Sequence, residues 1–206
     1  MSNIPKIVVF DLGKVLVDFD YGIAVRAIAS RSKMTDERVQ DFLLHSPLLV
    51  RYETGLLSNQ EFFEEIRTAT GFRGSIGEFG EFFSDIFVPI EPMIELHAML
   101  RNKGFPTYIF SNTNDLAIRN IRRNFPFFGE FEGYIFSYQH RAMKPDAKLY
   151  EALEREAGCR GGEILYFDDR PENIAAGAER GWQTILHDSP EQTRAEVEQR
   201  GILNGV

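Results

Sequence analysis

The sequence predicts an α/β fold, a doubly wound parallel sheet interrupted after its first strand by a helical cap. Three observations carry this expectation. Short apolar segments rich in β-branched and aromatic residues end at polar residues five times along the chain. Helical patterns separate these segments from about Glu91 onward, the signature of parallel strands joined by crossover helices. Residues 18–89, by contrast, carry helix patterns with no comparable buried strand between them.

Taken in order, Ile7–Phe10 reads as a buried strand that ends at Asp11 and Gly13. The inserted block follows. Met34–Ser46 opens on Thr35 as a candidate N-cap, and Leu57–Gly71 has Ser58 with Glu61 three residues later, the capping-box pattern, before a closing glycine. Ile76–Phe87 supplies a further amphipathic segment. Strands are then expected within Pro106–Thr113, Gly133–Tyr138, Glu163–Asn173 and Gln183–His187, and helices over Glu91–Lys103, Asp115–Arg123, Ala147–Ala157 and Pro171–Arg180. The expected division is a core of residues 1–17 and 90–206 with a cap of residues 18–89.

Composition narrows the function. With 43% hydrophobic and 26% charged residues, the 206-residue chain can offset its chain entropy by burial. A formal net charge of −8 argues against a nucleic acid or an anionic membrane as partner, since both require a positive footprint. The single cysteine, Cys159, excludes an intramolecular disulfide and fits a reducing compartment. The N-terminus has no secretory-signal pattern and no apolar run reaches the length of a membrane span, so a cytoplasmic monomer or homodimer is expected.

In open α/β sheets, functional loops gather at the carboxyl ends of the strands. Asp11, Ser111 and the pair Asp168 and Asp169 all fall there, and Lys144 lies in a loop before Pro145. Together these residues make up a phosphoryl-transfer set. Asp11 can attack phosphorus, Asp11 and one of the paired acids can hold Mg²⁺, Ser111 with the following N–H groups can bind phosphate oxygens, and Lys144 can supply positive charge. Each taken alone has a plainer reading as a turn residue, a helix cap or a solvated lysine. Their joint occurrence at strand ends sets them apart.

The segments FDLGKVLVD, FSNT, MKPD and YFDDRPENIAAG resemble the four ordered motifs of the haloacid dehalogenase superfamily, in the subfamily with a helical cap after the first strand. RYETGLLSNQEFFEEI, with its Glu-x-Gly, is similar to that cap. The wording is similar to that of bacterial phosphatases acting on sugar phosphates such as α-D-glucose 1-phosphate, and to that of the phosphatase domain of soluble epoxide hydrolase. The resemblance implies a Rossmann-like core and Mg²⁺-dependent hydrolysis of a small phosphomonoester through an aspartyl-phosphate on Asp11. It further implies that the Gly13 carbonyl ligates the metal, that Ser111 binds phosphate helped by the Asn112 amide, and that Lys144 stabilises Asp11 and the transferring group. Asp169 aligns as the metal-binding acid, with Asp168 behind it or joined to the metal through water.

One position departs from the family pattern. Gly13 stands where most phosphatases of the superfamily carry a second aspartate that protonates the leaving oxygen. Three explanations stay open: a replacement acid such as Asp18, Asp20 or the cap residue Glu53; a substrate with a good leaving group; or a non-catalytic phosphate- or partner-binding module. The sugar 1-phosphate resemblance favours the second, with the first contributing. A dehalogenase would not need the paired acids, and a phosphonate hydrolase would need a Schiff-base lysine from the cap, where Lys33 is unremarkable. Lys14 is either a site residue or a surface cation. The four histidines show no metal-ligand spacing, and Tyr52, Phe42, Phe62 and Phe63 read as cap core rather than pocket lining.

Overall fold

The computed structural model describes residues 4–203. Five parallel strands form the sheet: β1 (Ile7–Phe10), β4 (Thr107–Ser111), β5 (Gly133–Phe136), β6 (Ile164–Asp168) and β7 (Gln183–Leu186), in the spatial order β5-β4-β1-β6-β7. β1 lies at the centre, with all four of its residues buried, because a parallel strand covered on both faces must be apolar throughout. The pleat sends Val8 and Phe10 to one face, against α6 (Glu91–Asn102), α7 (Asp115–Asn124) and α11 (Pro190–Gln199). Ile7 and Val9 go to the other, against α9 (Ala147–Ala157) and α10 (Pro171–Glu179). The chain passes from β1 to β4 on one side and to β6 on the other, so the crevice at the tips of these three strands is the topological switch point.

Residues 18–89 hold five helices: α1 (Tyr21–Ser30), α2 (Asp36–Leu44), α3 (Leu48–Glu53), α4 (Asn59–Thr70) and α5 (Ile76–Ser84). They bury their own cluster, in which Tyr52 stacks on Phe62 at 4.0 Å between ring centroids and Phe79 and Phe83 close the other side. The capping box of Ser58 and Glu61 is formed, and Gly71 ends α4 in the left-handed region. Thr35 precedes α2 in the extended conformation of an N-cap, but its side chain makes no capping hydrogen bond. The two crossings between core and cap are paired as a short antiparallel ribbon of β2 (Val17–Phe19) and β3 (Phe87–Pro89). Periodicity gives no sign of this ribbon, since three-residue strands are too short to show alternation. α8 (Ser137–His140) likewise replaces the end of the strand expected to reach Tyr138.

The cap is tied to the core through α7. Arg123 grips Glu81 of α5 with two hydrogen bonds of 3.0 and 2.9 Å, and the Asn59 amide donates to Asp115 at 2.6 Å. Trp182 is buried among Phe110, Tyr150 and Tyr166 and donates to Glu154. No helix among the described residues is long and apolar enough to cross a membrane.

Two outcomes follow from this packing. Phe10 lies fully buried against Phe131 and Phe167, so Phe10→Ala is expected to cost about 3–5 kcal/mol in urea unfolding, whereas Val88→Ala, at a position 60% exposed, is expected to change stability by about 0.5 kcal/mol or less. His97 is buried, stacked on Phe131 and bonded to Thr107, and burial lowers its pKa from 6.5 to about 4. The unfolded chain therefore takes up a proton that the folded ring refuses, and stability should fall as the pH drops from 6.5 towards 4. That slope should shrink in His97→Gln when unfolding is measured across the same range.

Candidate active site

Because β1, β4 and β6 are adjacent, Asp11, Ser111 and Asp168 emerge at one edge of the sheet. Lys144 reaches them from the loop between α8 and α9, and its side chain is only 1% exposed. Its ammonium lies 3.0 Å from Asp11 Oδ1 and 2.6 Å from Asp168 Oδ2, and it donates to the Phe110 carbonyl at 2.8 Å. Three N–H donors thus meet three oxygens, which a buried ammonium requires. Asn112 aligns this lysine: its Oδ1 accepts from the Lys144 N–H at 2.7 Å and its Nδ2 donates to the Lys144 carbonyl at 3.0 Å. The Asn112 side chain is therefore committed to Lys144. Ser111 is buried beside it and lines the cavity.

The paired acids differ in environment. Asp168 is fully buried and accepts from Lys144, the Tyr166 hydroxyl, the Arg170 N–H at 2.9 Å and the Asn173 amide at 2.9 Å. Burial alone would raise its pKa, but Lys144 and these donors hold it below the ordinary carboxylate value. Both of its oxygens are engaged. Asp169 is half-buried and faces the cavity, and burial followed by the charge of Asp168 raises its pKa. Burial, against the pull of Lys144 and with Asp168 adding to it, lifts Asp11 to about 7. Asp11, Asp168 and Asp169 each offer an oxygen within 4.8 Å of the others. Next to them the Asn173 Oδ1 is buried with no hydrogen-bond partner among the described residues, an acceptor suited to a cation or its bound water.

Above this floor is a cavity of about 230 Å³. Its sides are Phe19, Tyr21, Leu49, Phe87 and Ile121, with Glu53 of the cap among them. At Gly13 a Cβ would come within 2.9 Å of the Phe19 ring, which is itself flanked by Tyr21 and Phe87. The space into which a side chain at position 13 would project is thus filled by an aromatic edge. Of the replacement acids, Asp18 pairs with Lys14 and caps the Phe19 N–H, and Asp20 caps α1 through the Gly22 N–H at 2.7 Å. Neither lines the cavity, whereas Glu53 does. Lys14 has a left-handed φ of 61°, which turns its side chain to Asp18 and over the Phe19 ring.

Phe19, Tyr21, Leu49, Phe87 and Arg170 line the cavity and were not singled out by sequence. Apart from Arg170, they belong to the ribbon and cap helices, where an apolar residue facing a cavity and one facing a core give the same pattern. Tyr52, Phe62 and Phe63 lie in the cap core, Phe42 packs against it, and none borders this cavity.

A model of haloacid dehalogenase-like hydrolases matches residues 5–181. The chain belongs to this family. It is 23% identical over 198 residues to the D-ribitol-5-phosphate phosphatase of Bacteroides thetaiotaomicron, covering 93% of this chain and 96% of that protein. It is 22% identical over 179 residues to the sesquiterpene phosphatase AstK of Aspergillus oryzae, covering 85% and 86%. Among solved structures, a haloacid dehalogenase family enzyme of B. thetaiotaomicron superposes with a TM-score of 0.79 at 24% identity, over 92% of this chain and 98% of that one. The same enzyme has been solved in complex with magnesium and inorganic phosphate, with a TM-score of 0.77 to this chain. The parallel sheet and flanking helices are the α/β fold of this hydrolase family, as the sequence predicted.

Removing one partner from a buried ion cluster leaves the others uncompensated. In this hydrolase Lys144→Met is expected to cost about 3–5 kcal/mol in chemical denaturation, far more than Lys14→Met at the exposed pair with Asp18.

Proposed function

We propose that this haloacid dehalogenase-like hydrolase is a Mg²⁺-dependent phosphatase of small phosphomonoesters, sugar phosphates foremost. The observation that carries the reading is the convergence of Asp11, Ser111, Lys144 and Asp169 on one cavity whose lining the cap helices share. Asp11 is the proposed nucleophile. One carboxylate oxygen attacks phosphorus to give an aspartyl-phosphate, and water then releases phosphate. Ser111 and the Asn112 N–H hold phosphoryl oxygens, while Lys144 orients Asp11 and balances the negative charge that gathers there.

The residues present suit Mg²⁺. Asp11, the Gly13 carbonyl and Asp169 are the proposed ligands. Asp168, whose oxygens are already occupied, stands behind them, and the unpartnered Asn173 Oδ1 is placed to accept from bound water. When bound, the cation supplies charge neutralisation at the phosphoryl group and favours the ionised form of Asp11. The family neighbour solved with magnesium and inorganic phosphate supports this reading, as do the two phosphatase relatives. Aromatic and aliphatic walls around a small volume favour an alcohol of modest size, held by shape and a few polar contacts.

Phosphate release is the test. The panel is sugar 1-phosphates, sugar 6-phosphates, D-ribitol 5-phosphate, a prenyl phosphate and an aryl phosphate, each with and without Mg²⁺, for the native chain and Asp11→Asn. Turnover that requires Mg²⁺ and drops to background in Asp11→Asn is expected. Binding of Mg²⁺ and phosphate without cleavage of any ester would instead mark a non-catalytic module.

A further inference from the structure

We propose that Glu53, carried by the cap, is the catalytic acid and base of this hydrolase, doing the proton transfer that no side chain at Gly13 can do. The inference rests on the phosphatase reading above and adds a residue to it. In the first step an Asp11 oxygen bonds to phosphorus, the ester P–O bond breaks, and the Glu53 carboxyl gives its proton to the departing alkoxide. In the second, the Glu53 carboxylate takes a proton from water as the water oxygen bonds to phosphorus. The Asp11–phosphate bond then breaks, leaving Asp11 ionised, Glu53 protonated and inorganic phosphate free.

Four features of the fold converge on Glu53. First, Phe19 fills the place beside Gly13, so an acid must come from elsewhere. Second, apart from Asp11 and Asp169 on the floor, Glu53 is the one carboxylate among the residues lining the cavity, and it enters from the cap side, across from the floor on which Asp11 lies.

Third, its position is fixed. Its main-chain carbonyl accepts from Ser137 Oγ at 2.6 Å, and the same hydroxyl accepts from the Thr113 N–H at 2.9 Å, joining the end of α3 to the loop after β4 and to the start of α8. Two residues later Gly55 has φ 71°, and a Cβ there would stand 2.0 Å from the Tyr138 carbonyl, so only glycine lets this turn of the cap press against the core. The Glu-x-Gly of the cap is thus a carboxylate followed by the close approach that seats it.

Fourth, its surroundings keep a proton available. The Tyr21 hydroxyl lies 3.3 Å from Oε1. The other ionisable groups that face it are Arg170 from the β6–α10 loop and, across the cavity, Lys14, Asp11, Lys144 and Asp169. Burial raises the Glu53 pKa to about 7, against hydrogen bonds from Tyr21 and Asn114 and the charge of Arg170. A group with this value can both give and take a proton near neutrality, where acid–base catalysis is most effective.

Steady-state and burst kinetics of the native chain, Glu53→Gln and Tyr21→Phe decide the matter, using a sugar 6-phosphate, whose alkoxide needs a proton, and p-nitrophenyl phosphate, whose phenolate does not. For Glu53→Gln, kcat/KM on the sugar phosphate is expected to fall about 10²-fold or more, while kcat/KM on the aryl ester is nearly unchanged. The aryl ester should now give a stoichiometric burst of nitrophenol, because the aspartyl-phosphate forms but no base helps water to cleave it. The alkaline limb of the native kcat/KM profile for the sugar phosphate should vanish in Glu53→Gln. In Tyr21→Phe it should move to higher pH, since a bond that lowers the Glu53 value is lost. A rise in KM alone, equal losses on both esters, or an unchanged pH profile would overturn the proposal and make Glu53 a substrate-binding or structural residue. Native turnover that Asp11→Asn abolishes and Glu53→Gln leaves intact sinks the role of Glu53 only. An absence of Mg²⁺-dependent turnover in the native chain sinks the phosphatase reading with it.

Discussion

The buried ammonium of Lys144 between Asp11 and Asp168 is the interaction on which the remaining geometry depends. Three ionised side chains enclosed at the tip of a central strand are costly unless each charge is met by an opposite charge or an oriented dipole. Every neighbour is arranged to do this. Asn112 holds the Lys144 backbone from both sides, the Phe110 carbonyl takes the third ammonium proton, and Tyr166, Asn173 and the Arg170 N–H saturate Asp168. Asp11 is left with the Leu12 N–H and a share of the lysine, and so keeps the elevated pKa and cavity-facing exposure that Asp168 lacks. Three carboxylates, Asp11, Asp168 and Asp169, meet one ammonium beside an Asn173 oxygen with no partner among the described residues, an environment suited to a cation.

The second constraint is the seating of the cap. A helical block with its own aromatic core is free to pivot on the two-stranded ribbon unless other contacts hold it. Here Arg123 with Glu81, Asn59 with Asp115 and Ser137 with the Glu53 carbonyl supply those contacts. Two of them start from α7 and the third from the first residue of α8, so the cap is held at more than one point of the core. The ribbon has a further consequence. By bringing Phe19 and Phe87 together beside Gly13, it exchanges a polar position for an aromatic wall. The departure at Gly13 and the paired crossings are therefore linked, since a side chain at position 13 would have to displace the Phe19 ring.

Much of this was legible in the residues. Strands β1, β4 and β6 were readable because fully buried parallel strands are continuous apolar runs cut off by polar residues, and those polar residues meet at one edge of the sheet beside the cavity. The capping box of Ser58 and Glu61 and the closing Gly71 marked α4 directly. The ribbon, α8 and the cavity walls were not legible. Three-residue strands and a single helical turn carry too little periodicity, and an aromatic residue such as Phe19 looks the same in sequence whether it faces a core or a cavity.

By itself the sequence determined the alternation of strands and helices, the inserted cap and the identity of the polar residues at the strand tips, because these follow from local patterns of burial and from chain order. Tertiary structure decided which of those residues share charge and which are already satisfied. It engaged both oxygens of Asp168 while leaving Asp169 facing the cavity, committed Asn112 to Lys144, and turned Asp18 and Asp20 to local capping while bringing Glu53 into the cavity from forty-two residues away. Hydrogen-bond saturation and desolvation depend on what surrounds a group in three dimensions, and no spacing along a chain encodes them.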